Sequence, residues 1–350
     1  MTAELNERER TVLRYLVHDF IETATPIGSR YISRRHEDVL GLSSASIRNV
    51  MSDLEYLGFL NHPHTSAGRV PTDQGYRFYL DKLMEVEELS SRNKIQIRRG
   101  MDQGSVDADD LMKETSRILG RISQQLCVVT NPQLSSGVFE RIELVQITSN
   151  RLLVIISIKS GLVRTMMMEV TSEIPKEKLD DLARMLNERL KGLTLSQIRD
   201  TFIQRLMDIQ GEETGLIRLF IDSVDKLFAA HKVDRIHISG AENIVQQPEF
   251  GNPHDLRSVV ELINNEEIII HVLEKNEAPP REVRVRIGGE NDDQKLNPYS
   301  VITTTYTVGD VTGTIGVIGP KRMPYARMIP LVDFVAQTIS ELFSSSQKTQ

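Results

Sequence analysis

Apolar positions fall three and four residues apart through the first sixty residues, which is helical spacing, and then give way to a short alternating stretch. Val12, Leu13, Leu16, Val17, Phe20 and Ile21 form one stripe. Asn6 followed by Glu9 is a capping-box pattern that starts this helix, and Thr25-Pro26 ends it. A second short helix follows Gly28-Ser29, with Tyr31 and Ile32 predicted inward and Arg30, Arg34 and Arg35 outward. The third helix opens on Leu42-Ser43-Ser44 and buries Ile47, Val50, Met51 and Leu54, and Gly58 stops it. Phe59–His62 and Arg69-Val70-Pro71 then predict two short strands around the glycine-bearing tip His64–Gly68. Thr72 caps a further helix through Tyr76, Phe78, Tyr79 and Leu83.

Residues 85–103 are polar and predict an interdomain linker, helical or flexible. Residues 105–126 predict an amphipathic helix carrying Leu111, Ile118, Leu119 and Ile122 on one side. From Cys127 to Val170 the pattern turns to strands: CVVT, IELVQIT, RLLVIISI and VRTMMMEV. Residues 172–232 return to helical period, RIHISG predicts a short strand, LRSVVELINN a helix, and IIIHVLEK and VRVRIGGE two more strands. SVITTTYTVG and GTIGVIGP are strands bounded by glycines, a helix spans Tyr325–Phe343, and residues 344–350 read as a disordered tail. Strands, helices and then strands again fit an α+β domain interrupted by a helical insertion.

Composition narrows the classes. The chain has 350 residues, enough for two or three domains, with 39% hydrophobic and 26% charged residues. With no tryptophan, its cores rest on Leu, Ile, Val and Met. A single cysteine, Cys127, excludes an intrachain disulfide and a cysteine-based zinc site, and its apolar neighbours mark it as a buried, inert thiol. The first residues lack the apolar stretch of a signal peptide, and RLLVIISIKSG is too short to span a bilayer, so the expected location is cytoplasmic, with no membrane partner. The net charge of −7 argues against unspecific nucleic-acid binding. Residues 1–84 hold 10 basic and 11 acidic residues, but the acids crowd the first helix while arginines sit on the second helix, the third and the hairpin.

That segregation makes residues 1–84 a candidate winged helix-turn-helix DNA-binding domain. The outer face of the third helix carries Ser44, Ala45, Arg48, Asn49 and Ser52, small or hydrogen-bonding side chains suited to a major groove. Arg48 can donate two bonds to a guanine and Asn49 can pair with an adenine edge. Ser44 and Ser46 can contact phosphate near the helix start, Arg30, Arg34 and Arg35 can flank the backbone, and His64 and Arg69 can enter the minor groove or neutralise phosphate. Other chemistry is weak. His62-Pro63-His64 lacks an accompanying acidic or thiol cluster, the glycines Gly309, Gly313, Gly316 and Gly319 match no dinucleotide fingerprint, and Lys321-Arg322 read as a structural loop. No catalytic triad or paired-carboxylate arrangement stands out, so neither enzyme activity nor a cofactor is expected. The alternatives are a ligand-responsive regulator, an enzyme with an autoregulatory amino-terminal domain, and a protein–protein adaptor.

The stretches RTVLRYLVHDFIETATPIGSRYIS, LSSASIRNVMSDLEYLGFL and PHTSAGRVPTDQGYRFY, with the closing GPKRMPY, resemble the HrcA family of heat-inducible transcription repressors over nearly the whole chain. The turn Arg35-His36-Glu37-Asp38 is longer and more polar than the family pattern. The resemblance implies a multidomain α+β fold: a winged helix-turn-helix at 1–84, a GAF-like domain in two segments (104–171 and 246–343), and an inserted, mainly helical dimerisation domain at 172–245. It further implies a homodimer that represses chaperone operons by binding an inverted repeat, CIRCE, in double-stranded DNA. The GroEL chaperonin would maintain that activity.

Overall fold

The computed structural model describes residues 4–63, 68–102, 108–206, 214–228, 236–275 and 282–346. The first helix, α1 (Glu7–Thr23), starts as its capping box requires: Glu9 N donates to Asn6 Oδ1 at 3.0 Å and Asn6 N donates back to Glu9 Oε2 at 2.8 Å. Val12, Leu13, Leu16 and Val17 are buried in one core with α2 (Ser29–Arg35) and α4 (Ser44–Tyr56), which the short α3 (Glu37–Leu40) connects. Ile32 lies inside that core, but Tyr31, expected beside it, is 39% exposed and lies under the Arg35 guanidinium. Ile32 takes the inward position, and Tyr31, about 100° back around the helix, falls on its outer side.

A two-stranded ribbon follows, β1 (Leu60–Asn61) and β2 (Val70–Pro71), antiparallel. Ile27 and Arg69 exchange backbone bonds of 2.9 and 2.8 Å, tying the ribbon to the loop before α2. Thr72 caps α5 (Asp73–Phe78), which runs into one wide helical turn at Tyr79–Leu83. The segment expected as a linker holds α6 (Ser91–Met101). Its Ile97 and Met101 are buried against α7 (Ala108–Ser123) and the long carboxyl-terminal helix, here α15 (Tyr325–Ser346). Residues 344–346 are therefore helical, while 347–350 lie outside the described residues.

Between α7 and α15 the strands divide into two sheets. In chain order they are β3 (Leu126–Thr130), β4 (Phe139–Thr148), β5 (Arg151–Ile158), β6 (Val163–Glu169), β7 (Ile236–Ser239), β8 (Arg284–Ile287), β9 (Tyr299–Val308) and β10 (Val311–Pro320). The main sheet is antiparallel in the order β7-β3-β10-β9-β8. Both its faces are covered, so β3 buries alternate residues on opposite sides: Cys127 and Val129 toward α7 and α15, Leu126 and Val128 toward a second core. That second core holds Ile244 of α12 (Ala241–Val245), Val259 and Leu262 of α13 (Pro253–Asn264), and Ile269, Val272 and Leu273 of α14 (Glu266–Lys275).

The segment IIIHVLEK, expected as a strand, is part of α14. Three consecutive isoleucines mimic a buried strand, but Ile269, Val272 and Leu273 are spaced i, i+3, i+4 and face one core. Asn265 Oδ1 accepts from Ile268 N at 3.2 Å and fixes the helical start.

Strands β4-β5-β6 form their own antiparallel meander. Its inner residues Ile142, Leu144, Leu152, Val154, Ile156 and Met168 are buried. Against β4 packs α8 (Lys176–Leu190), through Leu179, Leu182 and Leu186. Asn187 continues the sheet edge with its amide, accepting from Ile142 N at 2.7 Å and donating to Ile142 O at 3.0 Å. Helices α9 (Leu195–Leu206), α10 (Thr214–Asp222) and α11 (Val224–Phe228) complete this body, with Phe202 against Phe228. The chain thus leaves the main sheet after Thr130 and re-enters it beside β3 at Ile236. The four strand runs that follow one another in sequence divide one to the main sheet and three to the meander, and RIHISG returns as an edge of the main sheet. Alternation predicts that a strand exists but not which strand it pairs with.

Candidate nucleic-acid interface

The amino-terminal face is built on α4. Ser43 supplies its cap, with Oγ accepting from Ser46 N at 3.2 Å. Ile47, Val50, Met51 and Leu54 bury one side, so helical periodicity leaves Ala45, Arg48, Asn49 and Ser52 on the other, all exposed. Ser44 and Ser46 are half-buried at the helix start, where free backbone N–H groups favour anions. Ser52 Oγ donates to Arg48 O at 3.1 Å, while the Arg48 guanidinium pairs with no acid among the described residues. Arg30 and Arg34 on α2 are exposed in the same way. Helices α2 and α4 thus set exposed hydrogen-bonding and cationic side chains around one open helix face.

Arg69 takes a different place. Its side chain is only 15% exposed, and Nη2 bonds Glu55 Oε2 of α4 at 2.8 Å. Its Nη1 lies against His62 Nε2, and His62 Nδ1 bonds Glu55 Oε1 at 2.6 Å. Burial raises the Glu55 carboxyl, but the His62 hydrogen bond and the Arg69 and His62 charges outweigh it and hold the group below the usual carboxylate range. This trio clamps the base of the ribbon to the end of α4, occupying the histidine of His62-Pro63-His64 as well. His64 itself lies outside the described residues. Two residues missed from the sequence emerge here: Glu55, the centre of the clamp, and Tyr56, which is 92% exposed next to it. Tyr56 lies four and eight residues beyond Ser52 and Arg48, so helical spacing alone would have placed it near their face.

Beneath this face a buried carboxylate joins α1 to α2. Asp19 is fully buried, with Oδ2 at 2.9 Å from His36 Nε2 and Oδ1 at 3.4 Å from Arg35 Nε. His18, Asp19 and Glu22 come close enough together to offer a cation three ligands. Arg35, bonded to Glu22 at 2.6 Å, already supplies the positive charge there, so the grouping fits an internal ion pair better than a metal. Arg35 is thereby committed to α1 rather than to a partner. In the main sheet Cys127 is buried, and its thiol is pushed up to about 12 by burial, with Ser123 pulling the other way through a hydrogen bond.

Residues 109–329 match the family described as HrcA protein C terminal domain, and that span exceeds half of the chain. The chain belongs to the HrcA family. It is 41% identical to "Heat-inducible transcription repressor HrcA" of Chlorobium phaeobacteroides (strain BS1), over 98% of this chain and 100% of that protein. It is 40% identical to the protein of the same description from Prosthecochloris aestuarii (strain DSM 271 / SK 413), over 98% of this chain and 99% of that one. A solved chain described as "Crystal structure of a hypothetical protein at 2.2 A resolution" shares the fold, with a TM-score of 0.63, 24% identity, and coverage of 98% of this chain and 100% of that chain. HrcA proteins are transcription repressors and not enzymes, so the open face of α4 belongs to a heat-inducible regulator of transcription. Among the described residues no helix is long and apolar enough to cross a membrane.

Proposed function

We propose that the chain represses chaperone operons by laying α4 in the major groove of an inverted-repeat operator, CIRCE, as a homodimer. The observation that carries this reading is the exposed face of Ala45, Arg48, Asn49 and Ser52 beside the ribbon, on which the Arg48 guanidinium meets no acid among the described residues. Arg48 is the candidate guanine reader and Asn49 the candidate adenine reader. Ser44, Ser46, Arg30 and Arg34 lie around them for phosphate contacts. Arg69 acts in this reading through the clamp, by fixing where the ribbon sits.

An inverted repeat calls for a two-fold protein. Residues 172–245 are one candidate pairing segment; the outer face of β4-β5-β6 is the better one. Val145, Leu153 and Met167 lie across it in one register row, Ile155 in the next, and Val163 at its end. Val145, Val163 and Met167 are 40%, 56% and 48% exposed, an apolar surface that a second copy would cover. The reading then divides the chain into a reading head at 1–84, a GAF-like body on the main sheet, and a dimerising insert between β3 and β7. Maintenance by the GroEL chaperonin rests on the family resemblance alone.

Gel-shift titration against the inverted repeat tests the assignment. Arg48→Ala costs about 1–3 kcal/mol of binding free energy if Arg48 reads a base bidentately. Undiminished affinity of that variant rejects Arg48 as reader. Steep salt dependence of the wild-type affinity separates DNA binding from an adaptor role.

A further inference from the structure

The most distinctive polar contacts outside α4 join the amino-terminal domain to the carboxyl-terminal body, and they converge on the short helix α5. The Asp73 carboxylate sits in a cradle: Gly289 N donates to Oδ2 at 2.9 Å and Lys321 Nζ donates to Oδ1 at 2.6 Å. Gly288 lines the cradle with φ +52°, and a Cβ there would lie 2.1 Å from Asp73 Oδ2, so the site admits the carboxylate only because position 288 has no side chain. One helical turn on, Arg77 Nε donates to Glu290 Oε1 at 2.8 Å, and its Nη2 reaches both Glu290 Oε2 and Val285 O, the latter at 2.6 Å. Between these two, buried Tyr76 meets Tyr325 edge-on, with centroids 6.2 Å apart. The loop residues Lys321 and Arg322 are thus spent inside the molecule: Arg322 Nη1 donates to Ile21 O at 3.0 Å.

On its other side α5 is fastened to the end of the reading helix. Thr72 Oγ1 donates to Gly58 O at 2.6 Å and Thr72 N to Phe59 O at 3.0 Å. Gly75 presses on Phe59 O so closely that a Cβ would stand 2.2 Å away. The body, α5 and the carboxyl end of α4 therefore form one hydrogen-bonded chain.

We propose that α5 is a latch that holds the reading helix at one orientation on the body, and that Asp73 and Arg77 are positioning residues for recognition of two half-sites at a fixed spacing. The proposal rests on the DNA reading given above and deepens it. With the latch open, each reading head stays folded but swivels, so the second half-site is found at a lower effective concentration.

The test uses the full chain with duplexes carrying one half-site, or two half-sites at the natural spacing and at spacings altered by one to several base pairs. Arg77→Glu is expected to bind the single half-site like the wild type. On the naturally spaced repeat it loses affinity by about tenfold, and its preference for one spacing flattens. Glu290→Arg behaves alike, and the charge-reversed pair Arg77→Glu/Glu290→Arg restores both affinity and spacing preference. An unchanged spacing profile in Arg77→Glu, or a loss that the reversed pair does not restore, overturns the latch. A wild type that binds no duplex sinks the DNA reading instead. The latch can also be read without DNA. A glutamate-specific protease is expected to cut Arg77→Glu faster than the wild type at Glu85–Glu88, just beyond the latched helices, and equal rates also overturn it.

Discussion

Glu55 shows how one side chain determines a local shape. It accepts from His62 at 2.6 Å and from Arg69 at 2.8 Å, so the ribbon base cannot move without breaking an ion pair to α4. Its carboxyl is held below the ordinary range, largely against burial and through the His62 bond. A depressed acid contributes stability that is present above its unfolded pKa and lost as pH falls through its folded value. Thermal melts of the wild type across the acid range should therefore lose stability more steeply than those of Glu55→Gln, which starts lower and follows a flatter curve. Parallel curves would show that the clamp contributes nothing. Sequence reading gave Arg69 an outward role because arginines on a hairpin commonly face a partner. The acid that turns it inward lies fourteen residues upstream, across a fold that local spacing does not encode.

At the scale of elements, legibility followed periodicity. Helices α1 and α4 were readable because caps and apolar spacing agree, and Ile47, Val50, Met51 and Leu54 are all buried as their spacing requires. With its core side so fixed, the polar side of α4 was determined as well, which is why Arg48 and Asn49 could be named from sequence. Helix α14 was misread because three isoleucines satisfy either period over so short a window. Pairing was the least legible feature. The meander alternates apolar residues on both faces, and the outward set, Val145, Val163 and Met167, is half-exposed in one chain. If a second copy covers that face, Met167→Glu places a charge in an apolar contact and should shift the protein from dimer to monomer by sedimentation. Its far-ultraviolet spectrum should stay unchanged. A dimer of undiminished affinity would assign pairing elsewhere.

For the whole molecule, contacts between residues distant in sequence hold the parts together. β3 and β7 are neighbours although the entire meander and α8 to α11 lie between them in sequence. The reading head is joined to the body through Asp73 and Arg77, more than two hundred residues from their partners Gly289 and Glu290. None of this has a local sequence signal: Lys321 and Arg322 looked like a loop, and only the fold shows that they are half of a contact between domains. The class of the molecule, a heat-inducible transcription repressor, was legible because the stretches that resemble the family are contiguous, and the residues proposed to meet DNA lie within them. The contacts proposed to orient them were not, because they join residues far apart in the chain.

The central claim is that the open side of α4 reads bases. Its most direct test is a base-pair scan: every position of one half-site is substituted in turn, and the binding penalty is compared between wild type and Arg48→Ala. The account predicts a profile in which the penalty at one guanine position, about 1–3 kcal/mol in the wild type, vanishes in the variant while the others persist. Identical profiles for the two proteins would contradict it.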